Sequence, residues 1–289
     1  MKSTYQPDLK KDGIIADQII SGGHMLPNGK LQDIMEVSAV QNYDLGTRLV
    51  IEDRVYRYAK AAENLYANWG AFNDPQLYWE GNGDMPLADE GAKVITFDNQ
   101  QAQPILADEL KDGFVVGVGL PADFHSMYCM KIKSNKASDG VGGTVPTCEI
   151  TLYRGMPHGI VGANHRCYVY AGLYSGVKNK GGASYGTNYG AVVCVPPRKV
   201  AYATAPYFWG QTWGVFYAMQ SAYALEGGMG TIANNRVIGF DGEGRCVYRE
   251  VVVGDAFWQP AGYVLMDGNE TKWGAITSGD QLAMLTISP

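Results

Sequence analysis

Glycine breaks this chain into short pieces from end to end: 37 glycines are scattered through 289 residues without a fixed period. A collagen-like repeat is excluded by that irregularity, and many turns and bulges are implied. Between the glycines lie short runs rich in β-branched and aromatic residues, the pattern of an all-β fold. From residue 93 onward the runs 93–97, 114–120, 127–133, 148–153, 166–173, 191–195, 200–204, 236–240, 245–253, 262–266 and 282–287 read as strands. Arg236–Phe240 and Arg245–Val253 enclose Asp241-Gly242-Glu243-Gly244, the clearest hairpin in the chain. Apolar residues at 46% and charged residues at 18% are enough for a sizeable core and argue against global disorder.

The chain divides into three zones: an arm over 1–41, a hairpin-helix unit with linker over 42–92, and an all-β body over 93–289, expected as a β-sandwich or barrel-like domain with long loops. In the arm, Asp12-Gly13, Gly22-Gly23 and Pro27-Asn28-Gly29 interrupt short apolar pieces at Ile14-Ile15, Ile19-Ile20 and Ile34-Met35. Such a segment builds no core alone: it is either locally packed or disordered, or an extended arm that orders against another surface, and the isoleucine pairs favour the arm. In the second zone Arg48–Ile51 and Val55–Tyr58 flank the turn Glu52-Asp53-Arg54, with Tyr56 and Tyr58 on one strand face. Ala59 to Leu65 then changes to helix formers, and Ala62, Leu65, Tyr66 and Trp69 fit one apolar stripe of a short helix that Gly70 stops. A second helix is open over Val215–Leu225. Long loops are expected over 134–146, 175–190 and 267–280.

Net charge is −6 and the pI near 5.2, which argues against a protein that grips nucleic acid. Cys129, Cys148, Cys167, Cys194 and Cys246 form neither CxxC pairs nor an even disulfide framework, and read as mostly buried free thiols of a reducing compartment. The first residues carry no apolar signal-peptide core, and no run is apolar enough for a spanning helix. Neither Gly-x-Ser-x-Gly nor a P-loop occurs. GVGLP at 117–121 and GFDGEG at 239–244 lack a βαβ context and read as turns. His24, His125, His158 and His165 show no metal-ligand spacing, so neither a metal nor a cofactor is expected. The aromatic cluster Tyr202, Tyr207, Phe208, Trp209, Trp213, Phe216 and Tyr217 has two readings. Its rings fill a core or subunit interface, or Tyr207, Trp209 and Trp213 stand in a glycine-flanked loop and stack on sugars.

The stretch NYDLGTRLVIEDRVYRYAKAAENL at 42–65 resembles tailed-phage head decoration, or cement, proteins, through LGTR, an aliphatic strand, a short turn and VYRYAKA. GRCVYREVVVGDAFWQPAGYVLM at 244–266 and GDQLAMLTISP at 279–289 resemble the closing part of such proteins; the middle, about 90–235, carries no likeness. The resemblance implies a non-enzymatic virion protein, made in the host cytoplasm, that binds the outside of an assembled capsid and strengthens it. Its partners would be the major capsid protein and further copies of itself, a trimer being favoured, with no nucleic acid and no membrane. Under that reading the arm isoleucines Ile14, Ile15, Ile19 and Ile20, and Arg48, Tyr56, Arg57 and Tyr58 of the hairpin, are the expected capsid contacts. The competing expectations are a glycan- or receptor-binding virion module using Tyr207, Trp209 and Trp213, and a hydrolase built on loop carboxylates.

Overall fold

A computed structural model describes residues 16–20, 32–73, 78–81, 88–98, 104–119, 128–138, 147–157, 159, 165–179, 190–218, 236–248, 259–266 and 281–289. In chain order the strands are β1 Ala16–Ile20, β2 Arg48–Ile51, β3 Arg54–Ala61, β4 Ala71–Phe72, β5 Tyr78–Gly81, β6 Val94–Asp98, β7 Phe114–Gly119, β8 Tyr128–Asn135 and β9 Thr147–Leu152. They continue as β10 His165–Tyr170, β11 Ser175–Val177, β12 Val192–Cys194, β13 Tyr207–Ala218, β14 Val237–Phe240, β15 Cys246–Tyr248, β16 Gln259–Met266 and β17 Gln281–Thr286. The protein is mainly β, as glycine spacing and strand composition lead one to expect, and its described sheet pairings are antiparallel except β11 on β3.

Two compact units share the chain: residues 1–75 with 174–289, and residues 76–173 between them. The larger unit is therefore discontinuous, and the stretches 42–92 and 93–289 each contribute to both units. Its main sheet runs β1-β2-β3-β13-β17-β16-β14-β15, with β11 added parallel to β3. A second sheet pairs β12 with β4. On β13, Phe208 packs with Val193 and Cys194, while Phe216 and Ala218 pack with Phe72, Val192 and Val195. Gly210 is required there, since a Cβ would lie 2.4 Å from the Cys194 sulfur.

The short helix expected over residues 59–65 does not form. Ala59, Lys60 and Ala61 continue β3 as extended chain, and Leu65 makes an isolated bridge to Val200. The cause is tertiary. Ladder partners for Ala59 and Lys60 come from β13, through Phe208↔Ala59 and Tyr207↔Lys60, and the small side chains of Ala59 and Ala61 fit the core cluster that holds Phe208 and Leu65. Burial and a complete ladder outweigh a helix propensity worth only tenths of a kcal/mol per residue. Likewise Val215 to Ala218 belong to β13 rather than to a helix, with Phe216 and Ala218 turned inward; residues 219–225 lie outside the described residues. The strand expected over 200–204 reduces to the Val200 bridge followed by a turn. Ser175–Val177, expected as loop, is β11.

The smaller unit is one antiparallel sheet in the order β5-β10-β7-β8-β9-β6. Ile95, Phe97, Val115, Ile132, Ile150, Leu152 and Val169 point inward with Ile105 and Leu110, while Lys131 and Lys133 of β8 point out. The period of two puts one face of each strand in the core. The strands that open and close this unit are neighbours, with Tyr78 opposite Tyr170.

Candidate interaction surface and arm anchor

Within the stretch 1–41 expected as an arm, one residue, Gln32, fixes the chain to the core of the larger unit. Gln32 is 2% exposed, and its main-chain and side-chain polar groups are all engaged. Its main-chain N–H donates to the Tyr43 hydroxyl at 3.2 Å, and its carbonyl accepts from Trp209 Nε1 at 3.1 Å. Its Oε1 accepts from the Tyr58 hydroxyl at 2.9 Å and from Asn42 Nδ2 at 2.8 Å. Its Nε2 donates to the carbonyls of Glu36 at 3.0 Å and Tyr207 at 3.4 Å. A buried amide is tolerated only when it is satisfied this fully.

Around the amide stand Tyr43, Tyr58 and Trp209, with ring centroids 4.9–5.1 Å apart, and Tyr207 stacked on Tyr58 at 6.2 Å. These rings form one core cluster with Leu45, Leu49, Ile51, Tyr56 and Ile34. Residues 32–45 thus lie across the β2-β3-β13 part of the sheet and cover the odd-numbered face of β13 at Tyr207 and Trp209. Burial pushes the Tyr58 hydroxyl far above its ordinary range and raises Tyr56 and Tyr43 as well, so all three stay protonated at physiological pH. Burial pushes Tyr174, at the cluster's edge, up to about 12.

Upstream of this anchor the arm returns as β1, which pairs antiparallel with β2 in the register Gln18↔Val50, Ile19↔Leu49 and Ile20↔Arg48, with an irregularity between Ala16 and Gln18. In doing so β1 becomes the terminal strand of the main sheet. Ile19 and Ile20 lie on this strand; Ile14 and Ile15 lie outside the described residues.

The structure separates the remaining expected contacts. Tyr56 at 1% and Tyr58 at 0% exposure belong to the core and are not available to a partner, because the β2–β3 hairpin turns that face toward residues 32–45. Arg48 and Arg57 come together as direct cross-strand partners, and both are half-buried. Arg57 donates to the Gly46 carbonyl at 3.2 Å and to a Pro289 main-chain oxygen at 3.3 Å, while its buried Nε meets no hydrogen-bond partner among the described residues. Like charges directly opposite one another are unfavourable unless an anion or solvent intervenes.

Trp209 is 1% exposed and its indole N–H is engaged with Gln32, which removes it from any sugar-stacking surface. Trp209 and Tyr207 lie on a strand whose hydrogen bonds run from β3 to β17, not on a loop; Tyr207 and Trp213 are half-buried. A feature not singled out from the sequence lies farther along the same sheet. Val215, Met284, Tyr263 and Val237 stand in register across β13, β17, β16 and β14. None of the four is charged, Tyr263 and Val237 are 45% and 44% exposed, and Leu282 nearby is 40% exposed. Their strand neighbours Phe216, Ala283, Leu285, Val264 and Ile238 fill the core on the opposite face. The available signal in the sequence is only the short apolar runs themselves; the pairing order is what lines the four residues up.

Among the described residues no group of three or more His, Cys, Asp or Glu side chains could hold a metal ion. Cys129 is exposed; Cys148, Cys194 and Cys246 are buried, and burial raises all three thiols, Cys148 up to about 11. No known protein family, curated protein or solved structure matches the chain.

Proposed function

We propose that this chain is a structural virion protein that attaches to the outside of an assembled phage capsid and reinforces it, acting by contact rather than by catalysis. The resemblance of residues 42–65 and of the closing segments to head decoration proteins is the starting point. The observation that carries the reading is the anchored arm: a buried, fully satisfied Gln32 fixes the chain to the body, and Ala16–Ile20 ahead of it pair with β2 at a sheet edge. Such an arm adds contact area to a neighbour without a core of its own, and main-chain pairing supplies affinity where side-chain detail is sparse. Beside the β1–β2 edge, Arg48 and Arg57 offer a place for shell carboxylates. Many copies on one shell make weak individual contacts sufficient.

The test is sedimentation of the purified chain with empty shells of its virion's major capsid protein. Removal of residues 1–31, which spares Gln32, is expected to leave a folded body that no longer co-sediments. Removal of residues 1–41 also takes Gln32 and Ile34 from the core and is expected to destabilise the body. Undiminished shell binding by the chain lacking residues 1–31 would refute the proposal.

A further inference from the structure

We infer that the edge strand β1 is exchangeable: the β2 edge of one molecule accepts β1 from a second copy of this chain, so that arms link neighbouring molecules in the same sheet register. The inference concerns the chain alone and does not require the shell-binding reading.

Four observations carry it. First, β1 lies at the end of the sheet path, with β2 as its sheet neighbour, so moving it uncovers one edge and leaves the pairing of β2 with β3 intact. Second, its ladder is short and irregular: residues 18 to 20 pair in continuous register, and the register shifts between Ala16 and Gln18. Third, the pivot is fixed. Gln32 is locked to Tyr43, Tyr58 and Trp209, so everything from residue 32 onward keeps its place while the arm moves. Fourth, eleven residues, 21–31, join Ile20 to that pivot, and they contain Gly22, Gly23, Pro27 and Gly29. Fully extended, eleven residues span at most about 36–40 Å, comparable to the width of a small domain.

The physics is that of strand exchange. The donated strand makes the same main-chain bonds to β2 whether it comes from its own molecule or from another, so the paired states differ mainly in linker entropy and local concentration. A vacant β2 edge presents unpaired N–H and C=O groups, which another chain's strand satisfies. High local concentration, as on a crowded surface, favours exchange. The sequence of β1, Ala-Asp-Gln-Ile-Ile, carries no proline that would forbid the ladder.

Two variants, Gln18→Cys and Val50→Cys, each in a Cys129→Ser, Cys167→Ser background that leaves only the native thiols buried in the structure, place thiols on facing residues of the two strands. The full-length variants are mixed at high concentration, oxidised mildly and run on a non-reducing gel beside each variant alone. Exchange predicts a Gln18→Cys/Val50→Cys heterodimer well above the homodimer background of either variant alone. It also predicts disulfide-linked multimers from the double variant. A mixture no more cross-linked than its separate components, with a double variant that closes only within single chains, would overturn the inference. Since the double variant cross-links within or between chains wherever the β1–β2 register forms, a band of either kind shows that the variants are folded.

Discussion

Replacing Gln32 by alanine should cost the larger unit about 3 kcal/mol. The side chain makes four hydrogen bonds, and the one from the Tyr58 hydroxyl is buried. Tyr58 is 0% exposed, so its hydroxyl is left without that acceptor where water does not replace it easily; stranding such a group costs about 1–3 kcal/mol. The bonds to Asn42, Glu36 and Tyr207 are only part-buried, and together they add about 1–2 kcal/mol after water substitutes in part. Urea unfolding followed by tryptophan fluorescence reads this unit, because five of the six tryptophans fall within its residue ranges. With a slope of about 3 kcal/mol per M, the midpoint should fall by about 1 M. Tyr58→Phe removes the stranded hydroxyl, so the double variant should lose about 1–2 kcal/mol less than the sum of the single losses. A Gln32→Ala loss under about 1 kcal/mol, or strict additivity with Tyr58→Phe, would refute the view that the amide locks the arm root.

Four further outcomes follow from the same structure. Glu52, exposed at the first position of the two-residue β2–β3 loop, has φ 55°, so Glu52→Gly should stabilise by about 0.5–1 kcal/mol despite losing an exposed ion pair with Arg54; a lowered urea midpoint would contradict this. Gly244 has φ +82° and a Cβ there would lie 2.2 Å from the Gly70 carbonyl oxygen, so Gly244→Ala should destabilise by more than about 2 kcal/mol in the same titration. Tyr174 keeps its proton in the folded state up to about 12, whereas the unfolded group loses it near the ordinary 10.0. Stability should therefore be flat with respect to this group below pH 10 and fall from there to about 12, a limb that Tyr174→Phe shallows in pH-dependent urea titrations. A thiol reagent at pH 8 should label exposed Cys129 well before Cys148, Cys194 or Cys246, and Cys129→Ser should remove that fast adduct in intact-mass measurements.

The hairpins were legible because their information is local. Arg48–Ile51, Val55–Tyr58 and the Asp241-Gly242-Glu243-Gly244 turn carry alternation and turn chemistry within a dozen residues, and the structure forms both hairpins, with Ile51 opposite Arg54 and Phe240 opposite Cys246, each one residue away from the expected turn boundary. The alanine-rich stretch after Tyr58 misled because its helix formers are small residues serving a crowded strand face under Phe208, and nothing nearby in sequence announces β13. For the same reason the Trp209 ring reads as exposed between glycines, whereas Gly210 is the close approach that admits Cys194 on the other face. Of the expected contacts, Arg48 and Arg57 meet across the hairpin, but Tyr56 and Tyr58 face inward, a choice set by residues 32–45 lying over that face. The Val215, Met284, Tyr263, Val237 row depends on strand order, which periodicity does not contain.

The interrupted layout of the larger unit imposes an order on its birth. On a ribosome, β3 emerges about 150 residues ahead of β13, which at about 5–20 residues per second is a wait of about 7–30 s. Through that interval the β2–β3 hairpin lacks its partner, while the whole of residues 76–173 emerges and can pair within itself. The middle unit thus has the opportunity to fold first, and the nascent tyrosine-rich hairpin is the segment most in need of shelter. Slowing translation after residue 173 should lengthen that exposure and raise the share of insoluble chains.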